Sequence, residues 1–328
     1  MRYFAQFRAG LGELVNDALQ QDLAKVKVVD SDGSSLIFDS GSGPAKVGDL
    51  GYLKNVFSVL GSVRRCAAGR AAEQFAEQIL STPMMRGQGR VTSFRTMVSV
   101  DGKLLGLPRQ PRTLLESAIA RSTGARLSLR GGGVEYWLIG RRGNEKMLFC
   151  RRLTRGVQPG VAGSLGKDLA TLLVKASGPR PDDVFLDPFA GCGSIVRARI
   201  ALPYRRATYS DLAAGKVPPE LRRSSRVAVF TDDALELPSI PSGSVSSIVT
   251  DPPWGEYDKG LDFATFAQQM MASFDRALDP HRGRLVLLLS RRAAEVTHGL
   301  WASANLQLTR CHDLLVNGHP ATAQVGGR

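Results

Sequence analysis

The feature that most constrains this chain is a series of five short, mostly apolar runs in its second half, four of which close on an acidic residue. Val184-Phe-Leu186 stops at Asp187, Ala207–Ser210 at Asp211, Val227–Phe230 at Thr231-Asp-Asp-Ala234, and Ser246–Thr250 at Asp251; Arg284–Leu289 is the fifth. Runs this short and this continuous suit central strands covered on both faces. Helical segments separate most of them, which is the rhythm of a parallel, doubly wound sheet. Asn317-Gly318, between Leu314-Leu-Val316 and Ala321–Val325, predicts a tight hairpin. An antiparallel hairpin closing a parallel sheet leaves few folds.

The first half reads differently. Tyr3–Phe7 and Lys25–Val29 are strand-like around a helix from about Leu11 to Leu23, and Ser35–Phe38 follows the turn Asp32-Gly33. Lys54–Leu60, Arg95–Val100 and Val134–Ile139 are further strands, with amphipathic helices at Ala71–Leu80 and Thr113–Ser122, an α+β pattern. Gly156-Val-Gln-Pro-Gly-Val-Ala-Gly163 interrupts all periodicity, and Ser164 is placed to cap a helix through Leu165, Leu169, Leu172 and Leu173. The boundary falls near 151–163, with a linker at 153–163 and the second domain at 164–328.

The first apolar run leads into Asp187-Pro188-Phe189-Ala190-Gly191-Cys192-Gly193-Ser194. Gly191 and Gly193 remove side chains where a strand-to-helix turn lets a ligand approach the backbone. The spacing is neither GxGxxG nor a GK[ST] loop, so dinucleotide and P-loop readings are weak. An acid followed by GxG suits S-adenosylmethionine, which has no phosphates to cradle; an ordinary glycine-rich turn remains the alternative. Asp211, ending the next strand, is placed for ribose hydroxyls. Asp233, with Ala234, is placed for the adenine amino group, and Asp232 stands beside it as an alternative.

The fourth run ends in Asp251-Pro252-Pro253-Trp254-Gly255. Two prolines fix the backbone and remove two N–H donors, leaving a corner that offers acceptors. The Asp251 carboxylate and the Pro252 carbonyl suit the two N–H groups of a base NH2, and Trp254 offers the base a flat surface. A proline-rich turn with Trp254 as packing is the plainer alternative.

Charge adds a partner. The net charge is +13, of which residues 61–150 carry +9 and residues 1–60 carry −1. An excess of that size favours a polyanion. Candidate phosphate contacts are Arg86, Arg90, Arg95, Arg109, Arg112, Arg121, Arg126 and Arg130, extended by Arg205-Arg206 and Arg222-Arg223. The cysteines, Cys66, Cys150, Cys192 and Cys311, form no CxxC pair, so neither a metal site nor a disulfide framework is expected. No run has signal-peptide or membrane-spanning character, and a cytoplasmic, membrane-free protein is expected.

DPFAGCGSI and TDPPWG, in that order, resemble the cofactor and [DNS]PP[YFW] motifs of the class I amino-methyltransferases that act on nucleic acid bases. Within that group the chain is most similar to the THUMP-containing tRNA guanine-N2 methyltransferases. The resemblance covers roughly 164–328 and implies a seven-stranded Rossmann-like sheet with a C-terminal antiparallel hairpin. It also implies a ferredoxin-like segment, here 1–60, and a THUMP-like RNA-binding domain, here 61–152. Phe94-Arg-Thr-Met-Val, Gly124-Ala-Arg-Leu-Ser-Leu129 and Val134-Glu-Tyr-Trp-Leu-Ile139 resemble that domain's core; Arg130-Gly-Gly-Gly133 stands where the family often has Pro-Asp. The expected activity is methyl transfer from S-adenosylmethionine to guanine N2 in structured RNA, with tRNA favoured and no helper subunit indicated. Adenine-N6 methylation of DNA or RNA is the alternative activity, and a non-catalytic RNA-binding protein on a relic fold is the alternative class.

Overall fold

A computed structural model describes residues 1–87, 89–128, 133–154, 165–213, 217–255 and 262–328. The glycine-rich stretch 156–163, Ser164, Leu129 and Arg130 lie outside the described residues. The chain divides into two compact units, Met1–Gln6 with Asp22–Val157 and Phe7–Gln21 with Gln158–Arg328.

In the first unit, strands β1 (Arg2–Gln6), β2 (Lys27–Asp32), β3 (Ser35–Asp39), β4 (Asn55–Arg64), β5 (Ser93–Val100), β6 (Lys103–Leu104), β7 (Arg126–Leu127), β8 (Val134–Gly140) and β9 (Lys146–Arg152) form one sheet. Its order is β2-β3-β1-β4-β9-β8-β5-β6, with β7 also on β5. Helix α1 (Gly12–Asp22) falls almost wholly in the second unit, whereas α2 (Pro44–Gly48), α3 (Ala68–Ser81) and α4 (Arg109–Thr123) belong to the first. Ala71, Ala72, Phe75, Ala76 and Ile79 recur at helical spacing on α3 and pack with Leu115, Ala118 and Ile119 of α4 against Phe94, Tyr136, Leu138 and Phe149. Helix α4 ends at Gly124, whose φ of 70° is the left-handed stop that glycine allows.

Strand β4 runs continuously from Asn55 to Arg64, across the position of the expected division at residue 60, and pairs with β1 on one side and β9 on the other. Residues 7–21, expected with the N-terminal segment, pack instead in the second unit. There Arg8 donates to the Leu315 carbonyl at 3.1 Å and Arg310 pairs with Asp17 at 2.5 Å. Gly10 has φ 89°, and a Cβ there would lie 1.6 Å from the Asp313 carbonyl oxygen, so only glycine lets this segment pass.

The second unit is an α/β sheet. Its elements are α5 (Lys167–Ala176), β10 (Val184–Asp187), α6 (Ser194–Ile200), β11 (Arg206–Ser210), α7 (Pro219–Arg222), β12 (Val227–Phe230), β13 (Ser247–Thr250), α8 (Phe263–Ala277), β14 (Arg284–Ser290), α9 (Arg291–His298), β15 (Gln307–Val316) and β16 (His319–Gly327). The order is β12-β11-β10-β13-β14-β16-β15; β10 to β14 run parallel, and β16 is antiparallel to both neighbours. Helix α5 begins at Lys167 with Gly166 as its cap, later than the start expected from Ser164. Asn317 and Gly318, at φ 52° and 89°, make the hairpin turn between β15 and β16. The chain steps outward from β10 through β11 to β12, then returns to β13 on the other side. This reversal opens a crevice beyond the carboxyl ends of β10 and β13, where open α/β sheets take ligands.

Candidate active site

Asp187 ends β10 at that crevice and is 1% exposed. Its Oδ1 accepts from the Thr250 hydroxyl at 2.7 Å and from the Phe189 amide at 3.4 Å. Burial pushes the Asp187 carboxyl up to about 7, against those two bonds and helped by the neighbouring charges of Asp251 and Asp211. Asp251, one residue beyond Thr250, is pushed up to about 7 by its burial, which the bond from Trp254 only partly offsets. The Trp254 indole N–H lies 3.0 Å from Asp251 Oδ1 and 3.3 Å from the Leu288 carbonyl, which fixes the ring edge between β13 and β14. Pro252 is buried and Pro253 exposed, while Trp254 keeps part of its surface open.

The glycine loop is set by β11. The Ala190 amide donates to the Ser210 carbonyl at 3.0 Å, and the Gly191 amide donates to Asp211 Oδ2 at 2.8 Å. Gly191 has φ 49°, and a Cβ built on it would meet nothing within 4 Å. Gly193, at φ 76°, caps α6, and a Cβ there would press on Leu221 at 2.9 Å and Pro218 at 3.1 Å. The two glycines thus answer to different demands: open space above Gly191, close packing around Gly193. The Ser194 hydroxyl lies 3.2 Å from the Cys192 thiol. Pro188 and Ala190 are buried, and the Phe189 ring packs on Phe266, 6.0 Å between centroids.

Further along the sheet edge, Asp232 is committed to the fold, accepting from the Ser239 amide and hydroxyl, both at 2.9 Å. Asp233 is exposed and accepts only locally, from the Leu235 amide; Ala234 is buried beside it. Among the described residues, no Lys or Arg forms an ion pair with Asp187, Asp211, Asp233 or Asp251. Carboxylates without a described cation partner, around a bare glycine backbone, fit a ligand that carries positive charge and no phosphate, as S-adenosylmethionine does.

Thr250 and Tyr209 were not singled out in the sequence. Thr250 is legible only as the hydroxyl before Asp-Pro-Pro, and Tyr209 only as the residue two before Asp211. Of the basic candidates, Arg95 bonds Glu135 and Arg112 bonds Glu116, whereas Arg86, Arg90, Arg109, Arg121 and Arg126 are exposed. Arg205, Arg206, Arg222 and Arg223 are exposed on the second unit. No group of three or more His, Cys, Asp or Glu side chains among the described residues could hold a metal ion, and no helix among them is long and apolar enough to cross a membrane.

No family model and no curated protein matches the chain. Solved structures do. TrmN from Thermus thermophilus superposes with a TM-score of 0.75 at 19% identity, over 100% of this chain and 99% of that one. A predicted N6-adenine-specific DNA methylase from Listeria monocytogenes gives 0.65 at 13%, over 99% and 95%. SMU.472, a candidate methyltransferase complexed with SAH, gives 0.64 at 13%, over 99% and 97%. At these identities the likeness is one of fold, and it extends along the whole chain: the fold is shared with TrmN and these two methylases.

Proposed function

We propose that this chain is an S-adenosylmethionine-dependent RNA methyltransferase acting on the exocyclic N2 amine of a guanosine, with tRNA as the substrate. The observation that carries the reading is the row of carboxylates, none with a described cation partner, at the carboxyl ends of β10 to β13, beside an open glycine backbone and a Pro-Pro corner. In this reading Asp187, Pro188, Phe189, Ala190, Gly191, Gly193 and Ser194 hold the cofactor, Asp211 takes its ribose hydroxyls, and Asp233 with Ala234 takes its adenine. When bound, S-adenosylmethionine supplies a methyl group on a sulfonium whose departure as a neutral thioether needs no acid.

The chain's own residues do the rest. Asp251 and the Pro252 carbonyl accept the two N–H groups of the base amine, which draws its lone pair out of conjugation and aims it. Pro253 keeps that corner free of a competing N–H. Trp254, anchored by its indole N–H, gives the base a plane to stack on, and a paired base must leave its helix to reach it. Alignment supplies most of the rate. Asp251 then takes the proton that the methylated amine releases. The ferredoxin-like and THUMP-like region ahead of the linker brings the RNA, drawn by the +9 charge of residues 61–150.

The test is methylation of bulk tRNA and of plasmid DNA with labelled donor, followed by nucleoside analysis by mass spectrometry. Label in N2-methylguanosine from tRNA is the expected result. Label in N6-methyladenine alone would move the chain toward the alternative that the Listeria neighbour represents, and no label in either, with no binding of SAH, would end the enzymatic reading.

A further inference from the structure

We propose that Tyr209 is a positioning residue of the cofactor loop, acting through the Gly191 peptide; this rests on the reading of that loop as the S-adenosylmethionine site. Tyr209 lies on β11 opposite Asp187 of β10, and its side chain is fully buried. Its hydroxyl donates to the Gly191 carbonyl at 2.5 Å, while Asp211, two residues on and just past the end of the strand, accepts from the Gly191 amide at 2.8 Å. Ser210, between them, takes the Ala190 amide through its own carbonyl. Three consecutive residues, the last two of β11 and the one that follows it, therefore grip the polar groups of two consecutive loop residues, and Gly191 is held on both sides of its Cα.

The grip adds to the turn that the Gly193 amide closes on the Ala190 carbonyl at 2.7 Å, which leaves the Gly191 peptide groups themselves to be fixed. Gly191 sits at φ 49°, where a glycine has the widest freedom, and the space over its Cα is empty of packing. Gly193, by contrast, is wedged against Pro218 and Leu221. A loop that is open where the ligand lies gains its geometry from hydrogen bonds underneath it. Burial, with Asp211 and Asp187 close by, pushes the Tyr209 phenol up to about 12, so the hydroxyl stays protonated and remains a donor throughout the working pH range. The bond Tyr209 makes is to a loop carbonyl, so its contribution lies in holding the loop shape before the cofactor arrives.

Tyr209→Phe deletes the donor and keeps the ring. The expected result is SAH affinity weakened by about two- to twelve-fold, the range of one neutral hydrogen bond. The KM for S-adenosylmethionine should rise by the same factor, while kcat at saturating cofactor and the KM for RNA stay within two-fold of the wild type. Calorimetric titration with SAH and full kinetics on the full-length chain read these quantities. A Tyr209→Phe protein that binds SAH as the wild type does overturns the proposal. So does one whose kcat falls while KM holds, or whose thermal midpoint drops steeply at unchanged affinity, since either would make the hydroxyl part of catalysis or of general packing. A wild-type protein that binds no SAH would sink the parent reading instead, a result distinct from all of these.

Discussion

Carboxylates are treated in opposite ways in the first sheet and at the carboxyl ends of the parallel strands of the second, although elsewhere in the second unit acids such as Asp183 also pair with arginines. In the first sheet, which mixes parallel and antiparallel pairs, they are answered by arginines. Glu135 takes Arg95, Arg152 at 3.0 Å and the Trp137 indole N–H at 2.9 Å; Asp32 takes Arg141 at 2.8 Å, Asp39 takes Arg2 at 2.9 Å, and Asp101 takes Arg65 at 2.9 Å. Burial raises Glu135, but the bonds from Arg95, Arg152 and Trp137 outweigh it and hold the carboxyl below its usual range. At the ends of the parallel strands, Asp187 and Asp251 stay near 7 with no described cation partner. A chain with 43 Lys and Arg does not lack cations to place there. The difference is that the parallel edge holds two acids well above their usual range with no described counter-charge, the kind of departure that functional sites show.

The strongest way to break this comparison is to remove the acid proposed to face the base. Asp251→Ala should lower kcat by roughly 10²–10³, the cost of deleting one pre-organised polar partner, and leave SAH affinity within a few-fold. Single-turnover methylation of tRNA with saturating cofactor measures it. Turnover at the wild-type rate would mean that the open carboxylates at this edge are incidental.

Proton linkage sharpens the comparison, because the two sheets should respond to pH with opposite signs. Asp187 has a folded value near 7 against 3.8 for an ordinary carboxyl. The folded state therefore binds more protons across that window, and its stability from this group is full below about 4 and lost as the pH rises toward 7. The upper limit is about 4 kcal/mol, at 1.36 kcal/mol per unit. Glu135, held low, contributes stability above its unfolded value and loses it only as the pH falls through its depressed one. Denaturant midpoints measured from pH 4 to pH 8 should decline less in Asp187→Asn than in the wild type. A parallel decline in both proteins would show that Asp187 is ionised throughout. In activity, kcat/KM should rise with pH and level off above about 7 as Asp251 becomes an acceptor.

These acids were legible in the sequence because a central parallel strand is a short apolar run, and the residue that ends it falls at the ligand edge whatever the pairing. Val184–Asp187 and Ser247–Thr250 needed no knowledge of their neighbours. The first unit offered less. Lys146–Arg152 carries Met147, Leu148, Phe149 and Cys150 in one block without alternation, and it emerges as β9 only because β4 and β8 flank it. The helix from Gly12 to Asp22 has a clear pattern, yet its place in the second unit depends on Arg8, Gly10 and Asp17 meeting β15, contacts hundreds of residues apart in sequence. Thr250 and Tyr209 act through register with β10 and the glycine loop, and register is a property of two strands together. The charge count had the same limit: it located a basic region but could not tell Arg95, which answers Glu135, from an arginine free to meet phosphate.

The two loop glycines carry the contrast between reserved and occupied space down to single atoms, and they give the smallest effects. Both have positive φ, so alanine at either should cost about 1–2 kcal/mol of backbone strain. At Gly193 the new methyl would also press on Leu221 and Pro218, adding an overpacking cost of about 1–3 kcal/mol. At Gly191 it would enter empty space, so Gly191→Ala should be the more stable of the two variants by about that difference. If that space belongs to the cofactor, the order reverses in binding: Gly191→Ala should weaken SAH affinity about ten-fold or more, and Gly193→Ala should weaken it less. Thermal midpoints and SAH titrations of the two variants, read side by side, separate the effects. Equal affinities would mean that the opening over Gly191 faces solvent rather than a ligand, and the carboxylates around it would then need another explanation.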